Sequence, residues 1–221
     1  MTNSTHTSGH DQAKTSERRT LRRDAAQNRR RLLEAARTVF AEHGLDAGVE
    51  EVAQAAGVGV GTLYRRFPTK YALIAELVRE FMEEVVALAR QAEQVADGRG
   101  LERFVYALGE VQAANRGCLA RIWTDETSTA LRDEYRVLVA GLLANAKAHG
   151  AIRDDAAVTD LDLLFWSLRG IIETAGELST PAWRRQAAIC LAGLRPSSDA
   201  LADLPIGEEV VAHSRESSLL S

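Results

Sequence analysis

The sequence is short of almost everything that marks metal, thiol or cofactor chemistry. Its 2 cysteines in 221 residues, Cys118 and Cys190, have no short spacing between them, which argues against a disulfide-stapled scaffold and a cysteine zinc site. The 5 histidines, His6, His10, His43, His149 and His213, fall into no His-Glu-x-x-His spacing, so no metal is expected. Cys118 has no histidine close in sequence to serve as its base. No run of about 18 apolar residues occurs, and the first residues lack the basic-then-apolar order of a secretory signal, so the chain reads as cytoplasmic. No charge of one sign dominates: 27 basic against 31 acidic residues leave a formal net charge of -4. A uniformly basic nucleic-acid coat is thereby excluded, and any such surface has to be local.

The chain also has only 4 prolines, and 16 glycines are spread along it. Apolar residues at 46% and charged residues at 26% suffice for an ordinary core. With few breakers between long segments of helical period, the expected fold class is all-α.

Residues 1–16 are polar and without apolar period, which predicts a disordered leader. From Glu17 to Arg37 eight arginines, among them Arg29 and Arg30, face only Glu17, Asp24 and Glu34. This is the basic region that the net charge conceals, although a charge run is also what a solvated helix face looks like. Leu32, Leu33, Ala36, Val39 and Phe40 recur at helical spacing within a helix expected over 26–43. Shorter helices are expected over 49–56 and 60–66, separated by Gly57-Val58-Gly59 and stopped by Pro68. Further helices are expected over 70–95, 101–115, 119–123, 128–149, 157–177 and 181–194, the last opening on a proline at its first position. Beyond Pro196 the composition predicts a flexible tail.

The segment Val49 to Phe67 carries the strongest signal. Val52 and Ala53 of its first helix face inward, and Val58, Leu63 and Phe67 point back at them. Ala53 and Gly57 permit a close crossing and a sharp turn. The remaining face offers Val60, Thr62, Tyr64, Arg65 and Arg66, side chains suited to a major groove. Periodicity alone is equally consistent with a helical hairpin whose polar face meets water.

Residues 27–77 resemble the DNA-binding domain of the TetR family of bacterial transcriptional regulators. The resemblance rests on Leu33-Glu34-Ala35-Ala36, Phe40-Ala41-Glu42-His43-Gly44, Val52-Ala53, Ala56-Gly57-Val58, Gly61-Thr62-Leu63-Tyr64 and Phe67-Pro68-Thr69-Lys70, in that order. It implies phosphate contacts from Thr62, Tyr64, Arg66 and Lys70, and base contacts from Val60, Thr62 and Arg65. Arg29 and Arg30 are expected to cross the phosphate backbone or enter the minor groove. The family commonly has Ser or Thr near Gly48 and Ser near Gly59. Glycine there still caps a helix but removes a side-chain contact.

The expected organisation is a leader (1–16), a helix-turn-helix domain (17–69), a helical effector-binding and dimerisation domain (70–196) and a tail (197–221). Leu161, Leu164, Phe165, Leu168 and Ile172, with Ile189 on the next helix, form apolar stripes that could make half of an intermolecular four-helix bundle or an intramolecular core. The family resemblance favours a homodimer on a palindromic DNA operator. It also implies an effector site among the middle helices, for which Phe81, Phe104, Trp123, Trp166, Asn115 and Arg116 are the candidates. Core packing is the alternative for each aromatic.

The expected function is therefore ligand-responsive transcriptional regulation, as a repressor, with a small apolar or aromatic effector, no cofactor and no catalysis. Gly57-x-Gly59-x-Gly61 follows no strand and is not a dinucleotide fingerprint. A helical adaptor that has lost specific DNA binding is the alternative.

Overall fold

The computed structural model describes residues 8–117, 128–201, 203–207 and 210. Among these residues it is all-helical, with eight α-helices: α1 Ser8–His43, α2 Val49–Ala55, α3 Val60–Arg66, α4 Lys70–Glu93, α5 Gly100–Ala114, α6 Thr129–Ala148, α7 Val158–Thr174 and α8 Ser179–Gly193. The short helix expected over 119–123 lies outside the described residues.

Several boundaries differ from expectation, among them two helix starts and the end of α7, which comes at Thr174. Helix α1 begins at Ser8, inside the segment read as a disordered leader. Polar residues without apolar period do not preclude a helix continuous with a well-packed one, because elongation is far less costly than nucleation. Helix α8 begins at Ser179, led in by a 3-10 turn at Gly176–Leu178. Pro181 is therefore its third residue, still in the first turn, where amides have no intrahelical acceptor.

The first three helices enclose a small core of Leu32, Leu33, Ala36, Phe40, Val52, Ala53 and Leu63, each at most 1% exposed. Gly57 has φ +67°, and its N–H donates to Gln54 O at 3.0 Å while Val58 N–H donates to Ala53 O at 3.0 Å. A residue with a Cβ resists that left-handed turn, which sets α3 across α2. Helix α4 is the connector. Thr69 caps it, Oγ1 accepting from Ala72 N at 3.0 Å, and its buried residues run from Leu73 to Ala92.

Beyond this point α4 packs against α5 and α6, while α7 and α8 pack on each other and on α5. Trp183 of α8 is fully buried and presses on Gly109 of α5, where any Cβ would stand 2.3 Å from the indole ring. The start of the expected flexible tail is tied down. Arg153 Nη2 donates to Asp199 O at 2.6 Å, and Asp155 Oδ2 accepts from Leu201 N at 3.4 Å and from Arg153 Nη2 at 2.8 Å.

The Arg153 guanidinium lowers the Asp155 pKa to about 2, against about 3.9 for a free aspartate. A depressed carboxyl pKa stabilises the fold above its unfolded value, and the effect is lost as pH falls through the folded value. The Leu201 amide resonance is expected to hold its position at pH 4 and to titrate with a midpoint near pH 2. Asp155→Asn should abolish that titration.

Candidate nucleic-acid interface and effector cavity

Helix α3 presents its outer face as the sequence predicts. Leu63 alone is buried; Tyr64, Arg65 and Arg66 are exposed, and Val60 and Thr62 are half-buried. Arg65 Nη2 donates to Thr62 Oγ1 at 3.0 Å, which holds the guanidinium along the helix face. Lys70 opens α4 with Nζ 5.9 Å from the centre of the Phe40 ring, a cation-aromatic contact that places its charge beside the reader.

The two capping glycines act differently. Gly48 N–H donates to Glu51 Oε1 at 2.9 Å, and His43 Nδ1 lies 2.9 Å from Glu51 Oε2. Those hydrogen bonds, from Gly48 first and His43 second, hold the Glu51 carboxyl below its ordinary pKa. Glu51 therefore joins the end of α1 to the start of α2 without help from a side chain at Gly48. Gly59 has extended backbone (φ -71°, ψ 145°) and gives α3 no side-chain cap. A Cβ there would meet nothing within 4 Å, so the position is open toward the surface that α3 presents.

Of the basic residues preceding α2, Arg30 is 74% exposed with only a 3.6 Å ion pair to Glu34. Arg29, expected at DNA, is instead committed to α4. It pairs with Glu76, and its Nη1 donates to Glu80 Oε1 at 3.0 Å. Arg37 joins the same cluster, Nη2 to Glu80 Oε2 at 2.7 Å and Nε to Asn115 Oδ1 at 3.1 Å. Asn115 is 5% exposed and also donates from Nδ2 to Val111 O at 2.8 Å. Two carboxylates of α4 and one amide of α5 thus hold two arginines of α1. Gly117 completes the junction. Its φ is +90°, and a Cβ there would lie 2.1 Å from Phe40 O, so the chain leaving α5 runs directly against the end of α1.

The residues expected at an effector site fall in different places. Asn115 is spent on Arg37, and Arg116 beside it does not line the cavity described next. Phe104 is 1% exposed and packs on Tyr135 and Phe165 at centroid distances of 6.2 and 6.0 Å, a core residue. Trp123 lies outside the described residues. Phe81 and Trp166 do line a cavity of about 30 Å³, together with Met82 and Val85 of α4, Leu108 and Gln112 of α5, Tyr135 of α6, and Phe165 and Arg169 of α7. Gln112 was legible in principle: it stands four residues after Leu108 on an otherwise apolar face of α5. Trp183 was not singled out by sequence, because nothing local says which aromatic becomes a keystone.

Most residues of the expected dimer stripe pack within the protomer. Leu161, Leu164, Phe165, Leu168 and Ile172 are 0–6% exposed within one protomer, because α7 must cover both α5 and α8. Ile189, at 52%, remains outside, as does Leu163 at 40%. They share the outer surface with Gly170 and Gly193, where a Cβ would meet nothing within 4 Å.

A three-helix reader followed by a helical bundle with a cavity defines a helix-turn-helix DNA-binding protein carrying a second, helical functional unit. The family model of bacterial regulatory proteins of the tetR family matches residues 32–77. The chain is 33% identical over 157 residues to the HTH-type transcriptional repressor KstR2 of Rhodococcus jostii, covering 64% of this chain and 74% of that protein. It is 30% identical over 139 residues to the repressor KstR of Mycobacterium tuberculosis, covering 58% and 62% respectively. Among solved structures, a TetR regulator from Mycobacterium vanbaalenii is 30% identical with a TM-score of 0.58, covering 80% of this chain and 99% of that one. A second, from Streptomyces coelicolor, is 29% identical with a TM-score of 0.57, covering 77% and 99%. The chain belongs to the TetR family of bacterial transcriptional regulators. Among the described residues, no helix is long and apolar enough to cross a membrane.

Asn115→Leu, which strips Arg37 of a buried acceptor, is expected to lower stability by about 1–3 kcal/mol in urea unfolding. Val137→Ala, at a site 73% exposed, should change it by less than about 0.5 kcal/mol.

Proposed function

We propose that the protein is a ligand-responsive repressor that binds a palindromic operator as a homodimer, and that its business is binding and not turnover, in the cytoplasm. The observation that carries this reading is the α3 face of exposed Tyr64, Arg65 and Arg66 with half-buried Thr62 beside them, on a core that fixes the helix. Residues 17–69 act as the reader, and 70–196 as the effector-binding and dimerisation unit. Arg65 pairs with a base edge, with Val60 and Thr62 beside it, while Thr62, Tyr64, Arg66, Lys70 and Arg30 touch phosphates. Arg29 has no part in this surface, because its guanidinium is held by Glu76 and Glu80.

Two-fold association uses the outer face of α7 and α8, through Leu163, Ile189 and the exposed Gly170 and Gly193, which allow close helix approach. The effector is a small, largely apolar or aromatic molecule taken up between α4, α5, α6 and α7. A cavity of about 30 Å³ has room for about two waters. Uptake must therefore force the helices apart, and α4 carries the displacement to Lys70. A tenfold loss of operator affinity requires about 1.4 kcal/mol of preference for the non-binding conformation.

Selection from random duplexes, followed by sequencing, should enrich inverted half-sites; a pool without symmetry or enrichment overturns the reading. On the selected site Arg65→Ala should cost about 1–3 kcal/mol and relax selectivity at one position per half-site. Lys70→Ala should weaken all duplexes nearly equally and reduce the salt dependence by about one ion.

Leu163→Arg combined with Ile189→Arg should give folded monomers by sedimentation that bind the operator weakly. Charged residues at Phe165 and Leu168 should instead unfold the protomer, since both are buried within it.

A further inference from the structure

The lining of the cavity between α4, α5, α6 and α7 includes a side chain with an unpartnered polar atom. Gln112 is 7% exposed, and its Oε1 has no hydrogen-bond partner although the residue lines the cavity. Phe81, Met82, Val85, Leu108 and Phe165, which share the lining, have no hydroxyl or N–H side-chain donor to offer it. Arg169 on the same wall gives its Nε to Glu173 at 3.2 Å. A carbonyl oxygen withdrawn from water into such a place has lost its hydration without replacement.

Chemistry limits what restores the bond. An amide oxygen only accepts, so the group that meets it must carry a hydroxyl or N–H. Against Oε1 itself, a carboxylate, ether or ketone brings only a second acceptor. The mostly apolar lining, whose one cation Arg169 is already paired with Glu173, disfavours a charged body.

We propose that Gln112 is the specificity-determining residue of the effector site, and that the effector is a neutral apolar molecule whose hydroxyl or N–H donates to Gln112 Oε1. This rests on the reading of the cavity as the effector site. Gln112 is three residues before Asn115, so the bond forms on the turn of α5 that holds Arg37.

The test uses the full chain and a matched pair of probes, 2-naphthol and naphthalene, which differ by one hydroxyl. Calorimetric titration should show 2-naphthol binding roughly tenfold more tightly. Gln112→Leu should keep naphthalene binding and reduce the ratio to within about twofold. In the wild-type protein, the side-chain amide resonances of Gln112 should move further with 2-naphthol than with naphthalene, a readout that stands even if the variant fails to fold. Equal affinities in the wild type, an unchanged ratio in Gln112→Leu, or equal resonance shifts overturn the role of Gln112 and leave the cavity as an effector site. Binding of neither probe overturns both.

Discussion

Helix α4 has to satisfy two sets of neighbours at once. Its first turn lies beside the reader, with Lys70 over Phe40, and its apolar face from Leu73 to Ala92 is buried along its length. Between these, Glu76 and Glu80 turn their carboxylates to Arg29 and Arg37 of α1. Apolar packing fixes how deeply α4 sits but is tolerant of sliding, whereas hydrogen-bonded guanidinium-carboxylate pairs have a definite geometry. The angle between reader and bundle therefore depends on this polar junction more than on the apolar core.

That arrangement puts the sensitive parts of the molecule close together. Asn115, just past the end of α5, grips Arg37, and Gln112, three residues earlier, lines the cavity. Gly117 then brings the backbone against Phe40 O. Glu76, Glu80 and Asn115 thus meet α1 at one junction, while other residues of α4 and α5 line the cavity. Cores close-packed in this way respond to inserted volume by shifting whole elements, because individual side chains have little room to yield.

The reader itself shows how a missing side chain can be offset in one place and left in another. At Gly48 the Glu51 carboxylate reaches back to the backbone N–H and also meets His43, so the joint between α1 and α2 remains closed. At Gly59 no side chain caps α3. The helix still forms because Leu63 is fully buried beneath it, and tertiary burial outweighs a cap worth a few tenths of a kcal/mol relative to glycine.

The sequence by itself determined the helical class, the order of the reader's three helices and the residues on the outer face of α3. Those follow from period, turn glycines and a proline, all of which act within a few residues. It also showed a broad apolar stripe in α7, but not what covers it. Leu161, Leu164, Phe165, Leu168 and Ile172 look the same in sequence whether a second copy or α5 and α8 lies against them, and only the packing of the protomer turned that face inward, leaving Leu163 and Ile189 outside. The partners of Arg29 and Asn115 were not legible in the sequence for a related reason. A side chain's charge or amide is visible in the sequence, but its partner stands 51 or 47 residues away for Arg29 and 78 for Asn115. Only the folded chain decides whether such a group meets a ligand, a phosphate or another side chain.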